Sequence, residues 1–432
     1  MDRILIEGNR CLNGEITVSG SKNAALPLMV ACLLADGVST LRNVPQLRDV
    51  QTMSSVLESV GAKVTTEGDR VTIDARGFNT TEAPYDMVRR MRASVYVLGP
   101  MLARLGQARV SLPGGCAIGP RPIDLHLTGF EALGSKVRIE GGYVIAEGEG
   151  MSGGEMNLEG SHGSSVGATC NVLMAAVLTP GRTVIRGAAR EPEIGELVRM
   201  LNLMGARITG ADSSTLEVEG VGALKPIVYS IIPDRIEAGT FLLAGAITGG
   251  DVMVRGARPD HMNALLEKMI QAGIGIEVLP DGVRVKPGAG INPTNIQTLP
   301  YPGFPTDMQA QFMALLCMAG GDSIVRETIY PERFIHVAEL MRMGANIEMG
   351  TGEARVRGVK KLTGAPVMAS DLRASAALVL AGLAAEGTTE ILRVYHIDRG
   401  YEHIDTKLAA VGATITRETG DQKPVLAEEP QG

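Results

Sequence analysis

One phrase, written six times along the chain, limits what it can fold into. A helical segment ends in Gly, and a strand, a short turn and a second strand follow. The copies read Leu57-Glu-Ser-Val-Gly61-Ala-Lys-Val, Phe130-Glu-Ala-Leu-Gly134-Ser-Lys-Val, Leu201-Asn-Leu-Met-Gly205-Ala-Arg-Ile, Met269-Ile-Gln-Ala-Gly273-Ile-Gly-Ile, Leu340-Met-Arg-Met-Gly344-Ala-Asn-Ile and Leu408-Ala-Ala-Val-Gly412-Ala-Thr-Ile. Neighbouring glycines stand 68–73 positions apart, so six units of about 70 residues fill nearly all of the 432. The Gly suits the position just past a helix, where a left-handed backbone ends it.

A second phrase opens each unit: an apolar helix, a Gly, then a β-rich strand, as in Leu33 to Leu41 or Leu178 to Ile185. Each unit therefore reads helix–strand–helix–strand–strand. The first helices, expected at 23–35, 93–105, 166–178, 236–247, 308–318 and 374–384, are apolar nearly all round, which predicts burial on every side. The second helices are amphipathic and belong outside. This is an α/β chain of the α+β type. One closed ring of six units and two groups of three both satisfy the period; domain size favours two groups.

Composition removes several function classes. Aromatics are 3% of residues, Trp is absent, net charge is −7 and no Lys/Arg run occurs, so nothing offers a nucleic acid a stacking platform or a basic face. Apolar runs reach roughly a dozen residues, too short for a bilayer, and the N-terminus has no signal-peptide core. These features lead us to expect a cytoplasmic protein with no membrane partner. Five scattered cysteines (11, 32, 116, 170, 317) form neither a disulfide framework nor a zinc motif. Cys32, Cys170 and Cys317 lie in apolar helices and read as core. No P-loop, metal spacing or GxSxG motif is present. Gly148-Glu-Gly150-Met-Ser-Gly153 matches GxGxxG, but a strand-like segment follows it where a helix is required. No cofactor is expected, and the oligomeric state is not evident.

The functional clue lies at the starts of the buried helices: Lys22-Asn23, Arg92-Ala-Ser94, Ser164-Ser165, Asp234-Arg235, Thr306-Asp307 and Asp371-Leu-Arg373. Capping of exposed N–H groups accounts for Ser, Thr, Asp and Asn, and for Ser94, Ser164 and Ser375 it stands level with a binding role. It does not account for Lys22, Arg92, Arg235 or Arg373, because a cation at a helix N-terminus works against the macrodipole. Four such cations predict an anionic ligand there. The loop Leu112-Pro-Gly-Gly-Cys116-Ala-Ile-Gly-Pro-Arg121-Pro-Ile-Asp124 adds a thiol beside a cation, a setting that favours thiolate reactivity.

With these residues in hand, the chain resembles the enolpyruvyl transferases from Ile6 to about Ile415. The matching segments are 20–27, 91–94, 113–126, 189–193, 233–237, 304–311, 371–375 and 396–401. The resemblance implies two inside-out α/β barrel domains of three units each: residues 22–231, carrying the Cys116 loop, and residues 1–21 plus 232–419. Residues 420–432 are expected to be a disordered tail. It implies transfer of the enolpyruvyl group of phosphoenolpyruvate to the 3′-hydroxyl of UDP-N-acetylglucosamine with release of phosphate, a step of peptidoglycan synthesis. The branch acting on shikimate 3-phosphate, and a non-catalytic repeat scaffold, are the alternatives.

By matching motifs, the resemblance assigns Cys116 as proton donor and site of a covalent adduct, attacked by the epoxide fosfomycin. Asp307 and Asp371 are the candidate bases, and Arg399 is a further catalytic residue. Lys22, Asn23, Arg121, Arg373 and Arg399 would hold phosphoenolpyruvate. Arg92, Arg121, Pro122, Ile123, Asp124, Leu125, Gly163, Ser164, Ser165, Val166, Gly167, Asp307 and Ile329 would hold the sugar nucleotide. No metal is implied. One departure stands out: many members carry Lys shortly before Ser-Val-Gly, whereas this chain reads His162-Gly163-Ser164, leaving His162 as the residue placed to substitute.

Overall fold

The computed structural model describes residues 2–88, 91–112 and 123–419. Six units follow one another, each with an inner and an outer helix. They carry α1 (Lys22–Ala31) and α2 (Arg48–Ser59), α3 (Leu98–Leu105) and α4 (Asp124–Ala132), α5 (Val166–Ala176) and α6 (Pro192–Met204). Then come α7 (Arg235–Ile247) and α8 (Asn263–Gln271), α9 (Gln309–Leu316) and α10 (Val337–Arg342), α11 (Leu372–Ala384) and α12 (Ile404–Ala410). All six repeat glycines have positive φ, from 81° to 109°, and close the outer helices as the pattern requires.

The inner helices are largely buried, α3 half-buried over its last three residues, and in α7 every residue from Ile236 to Ile247 is withdrawn from solvent. Their sequence leaves no alternative, since a helix with no polar face must be covered on all sides. The cover is six four-stranded sheets. Strand Arg70–Asp74 shows the logic: Val71 and Ile73 face inward while Arg70 is exposed, a period of two on a half-buried surface. Helices inside and sheets outside make an inside-out α/β barrel.

Two separate apolar cores result. One gathers residues between Ala24 and Ile232, the other residues between Ile4 and Val18 together with residues from Ile236 to Val411. Strand Arg3–Glu7 lies antiparallel between Thr388–Leu392 and Thr414–Glu418. Strand Asn13–Thr17 runs parallel to Asp251–Arg255. In the other core, Val228–Ser230 returns to pair with Val38–Arg42. The sequence pattern anticipates three strands per unit; the fourth in each sheet is a short strand such as Glu82–Ala83 or Ile296–Gln297, of two to five residues and too brief to show a period.

The backbone passes between the cores twice, side by side. Ser21 N–H donates to the Ile232 carbonyl at 2.7 Å and Asp234 N–H to the Ser19 carbonyl at 2.9 Å. This crossing sets Lys22 and Arg235 at the boundary. Among the described residues no helix is long and apolar enough to cross a membrane. Cys32, Cys170 and Cys317 are buried, and burial pushes the thiols of Cys32 and Cys317 up to about 12.

Candidate active site

Four helix caps organise the boundary. Ser21 Oγ accepts from Ala24 N–H at 3.3 Å and Ser165 Oγ from Ala168 N–H at 3.2 Å. Asp234 Oδ1 accepts from the N–H groups of Ile236 and Glu237 at 2.8 and 3.0 Å, and its Oδ2 accepts from Lys22 N–H at 3.0 Å. One carboxylate thus ties the starts of α1 and α7. Asp371 Oδ1 caps α11 through Arg373 and Ala374 N–H at 2.6 and 3.0 Å. The three serines for which capping stood open are not caps: Ser94 lies inside the 3-10 turn Arg92–Val97, Ser164 in a two-residue strand, and Ser375 donates to the Asp371 carbonyl.

The charged centre has two carboxylates, each held by two cations. Asp49, 3% exposed in the first turn of α2, accepts from Lys22 Nζ at 3.3 Å and Arg399 Nε at 2.9 Å. Burial alone would raise the Asp49 carboxyl; Lys22 and Arg399 overcome this and lower it. Burial lowers the Lys22 ammonium despite Asp49. Asp307, in the 3-10 turn Thr306–Met308 ahead of α9, accepts from Arg373 Nη2 at 2.8 Å and pairs with Arg333 Nη2 at 2.9 Å. The amide of Asn23 reaches Asp307 at 3.5 Å from the other core. Against burial, which favours the neutral acid, Arg373 and Arg333 hold the Asp307 carboxyl well below the usual carboxylate range.

Protein carboxylates therefore answer cations that the sequence left waiting for a ligand. Arg235 is the clearest correction. Its Nε and Nη2 contact both carboxylate oxygens of Glu193 at 3.0 and 3.3 Å, and the two side chains are 10% and 3% exposed. Arg235 is a strut between α7 and α6, across the two cores. Arg92 makes no ion pair among the described residues.

A second group lies in the first core. Ser165 caps α5, whose first residues are Val166 and Gly167; a Cβ on Gly167 would meet His126 Nε2 at 3.2 Å. Ile123, Asp124 and Leu125 begin α4, and Leu125 packs against Gly160. Burial and the charge of Arg92 push His126 down to about 3. His126 is neutral, bonded through Nδ1 to Asn171 at 3.1 Å. Gly163 has φ 94°, and a Cβ there would meet Pro300 Cγ at 2.5 Å. The ring of His162 reaches the Thr328 carbonyl at 3.2 Å, so it bridges to the other core. Ile329 N–H donates to Glu327 at 2.9 Å. Cys116, Arg121 and Pro122, and the tail 420–432, lie outside the described residues.

Lys22, Asn23, Asp307, Arg373 and Arg399 thus come together; Asp371 sits behind them as a cap; Arg92 and residues 123–125 and 163–167 form the neighbouring group. Sequence reasoning missed Asp49, Glu193 and Arg333. Asp49 carries no signal of its own in the sequence, and only the packing of α2 against the 3-10 turn Val394–Arg399 reveals its role. Glu193 lay within a segment that matched the family pattern, which was the one available signal.

A chain of this fold, with cations from both cores gathered at their boundary, is an enolpyruvyl transferase. The family model for EPSP synthase (3-phosphoshikimate 1-carboxyvinyltransferase) matches residues 6–408, and the chain belongs to that family. It is 55% identical over 418 residues to the UDP-N-acetylglucosamine 1-carboxyvinyltransferase of Trichlorobacter lovleyi, covering 96% of this chain and 99% of the relative. It is also 55% identical to the protein of the same name from Desulfatibacillum aliphaticivorans, covering 96% and 100%. Among solved structures, the enolpyruvyl transferase NikO from Streptomyces tendae shares the fold with a TM-score of 0.88 at 24% identity, covering 97% of this chain and 99% of that one.

Proposed function

We propose that this protein transfers the enolpyruvyl group of phosphoenolpyruvate to the 3′-hydroxyl of UDP-N-acetylglucosamine, releasing phosphate, and that it does so in the cytoplasm as a step of peptidoglycan synthesis on which cell division depends. The observation that carries this reading is the 55% identity over nearly the whole chain to relatives of that name. The cations gathered where the cores meet support it, because both substrates are polyanions. The two separate cores and the paired crossing at 19–22 and 231–234 support a division into residues 22–231 and residues 1–21 plus 232–419.

In the addition step the sugar 3′-oxygen bonds to C2 of phosphoenolpyruvate while C3 takes a proton. In the elimination step C3 loses a proton, the C2–O bond to phosphate breaks, and the double bond returns. Cys116 is the acid by motif, and its thiolate is the proposed site of the pyruvate adduct and of fosfomycin attack. Of the two carboxylates we take Asp307 as the base, since it stands among Asn23, Arg373 and Arg333 while Asp371 sits behind them capping α11. Asp307 is held ionised, hence ready to accept a proton, but weakly basic. Substrate phosphate and carboxylate would compete for Arg373 and Lys22, and Asp307 gains basicity as they do. Lys22, Arg373, Arg399 and Arg121 would stabilise charge on the tetrahedral intermediate. Arg92, Pro122 and residues 123–125, 163–167 and 329 would seat the sugar nucleotide.

The test is phosphate release from phosphoenolpyruvate with UDP-N-acetylglucosamine and, separately, with shikimate 3-phosphate. Release with the sugar nucleotide alone is expected. Release with shikimate 3-phosphate alone would overturn the acceptor, and silence with both, from folded protein, would overturn the activity. Asp307→Asn should then lose at least about a hundredfold in kcat.

A further inference from the structure

Three inner helices of the second core each send a buried polar side chain towards one point: Thr240 on α7, Gln311 on α9 and Arg373 on α11. The phenol of Tyr401, 2% exposed, meets all three. Its oxygen lies 2.9 Å from Thr240 Oγ1, 3.1 Å from Gln311 Nε2 and 3.3 Å from Arg373 Nη1. Counting protons gives each bond a direction. The guanidinium of Arg373 and the Nε2 of Gln311 can only donate, so they fill both lone pairs of the phenol. Its own O–H must then go to Thr240, whose hydroxyl passes its proton to the Ile236 carbonyl at 2.8 Å. Gln311 Nε2 also donates to the Asp307 carbonyl at 2.8 Å. Arg373 is thus gripped at Nη1 by the phenol, while Nη2 holds Asp307 Oδ2 at 2.8 Å.

We propose that Tyr401 is a positioning residue for proton transfer at Asp307, touching neither substrate and acting through Arg373 and Gln311 on the side chain and backbone of that aspartate. The proposal rests on Asp307 being the base. A buried phenol that merely filled the core would need no such directed chain, and a phenyl ring would serve it equally well. Burial raises the Tyr401 hydroxyl, so it keeps its proton and the direction of the chain is fixed across the working pH range.

Tyr401→Phe removes one oxygen and keeps the ring. With KM for UDP-N-acetylglucosamine unchanged within about twofold, kcat should fall roughly 10-fold, because a guanidinium held at one end swings out of line. The acid limb of kcat against pH should move to higher pH as Arg373 loosens its hold on Asp307. Thr240→Val, which keeps the phenol and removes its acceptor, should shift both in the same direction by less, and it serves if Tyr401→Phe does not fold. An activity-independent readout uses protein labelled with 15N-arginine: Arg373, clamped at both Nη atoms, gives distinct Nη signals that average in Tyr401→Phe. A folded Tyr401→Phe with wild-type kcat, or with lowered kcat but an unmoved acid limb and unaveraged signals, would overturn the proposal. A wild type that turns over while Asp307→Asn leaves its acid limb in place would instead remove Asp307 as base. A wild type silent with both acceptors would remove the activity itself, leaving the arginine signals to decide the clamp alone.

Discussion

Replacing Arg235 separates a strut from a substrate-binding cation. The guanidinium meets Glu193 with two contacts at 3.0 and 3.3 Å, 10% and 3% exposed, and its Cζ sits 5.7 Å from the centre of the Tyr301 ring. Breaking such a pair by removing one partner costs about 3–5 kcal/mol, since the other charge is left buried. The two single losses should differ. Glu193 lies in the first turn of α6, where the helix dipole still favours it after Arg235→Gln. Arg235 opens α7, where the dipole opposes it, so Glu193→Gln belongs at the upper end of the range. For a unit of about 200 residues this lowers Tm by roughly 6–20 °C. The double variant Arg235→Met with Glu193→Met should lose far less than the two singles added together. Urea and thermal unfolding read the stabilities, and steady-state kinetics read KM. The reasoning fails if Arg235→Gln leaves stability untouched and raises KM for either substrate tenfold; Arg235 would then be the substrate cation its sequence position suggested.

Gly163→Lys restores the cation that the family pattern carries, yet the backbone at φ 94° and Pro300 at 2.5 Å oppose it. We expect a loss of about 1–3 kcal/mol in stability and no gain in affinity for the sugar nucleotide; tighter binding in a titration would show that the hairpin yields. Burial raises Glu237 to about 7 despite Lys407 at 2.8 Å, with Asp234 adding to the rise. The folded state holds this proton more tightly than the unfolded chain, so stability is greatest below the ordinary value of 4.5 and declines as pH rises towards 7. The decline is about 3 kcal/mol from this group. Glu237→Gln should flatten that slope in urea unfolding measured from pH 5 to 8, and an unchanged slope would assign it to another group.

The six-fold architecture was legible because repetition averages over local noise. Six glycines, six apolar helices and six alternating hairpins carry one message, and a helix without a polar face admits one placement. The short parallel strand of each sheet was not legible, since two to five residues display a period too weakly and owe their conformation to the partner strand. The site was legible where chemistry conflicts with local rules: Lys22 and Arg373 stand where the helix dipole repels them. Their partners were not. Asp49 and Arg333 obey every local rule for a surface charge, and only tertiary packing withdraws them from water. Arg235 shows the cost of reading cations alone, because its counter-charge lies 42 positions earlier in sequence.

Strand Arg3–Glu7 has both its neighbours near the other end of the chain, at Thr388–Leu392 and Thr414–Glu418. A ribosome makes it long before either partner. The core spanning Ala24 to Ile232, with its own returning strand at Val228–Ser230, can be completed midway through synthesis. Strand Arg3–Glu7 must wait with its edges unpaired until those partners emerge, open to pairing with other nascent chains. Slowing elongation over the fifth and sixth units prolongs that exposure, so codon choice there bears on whether the strand Arg3–Glu7 aggregates.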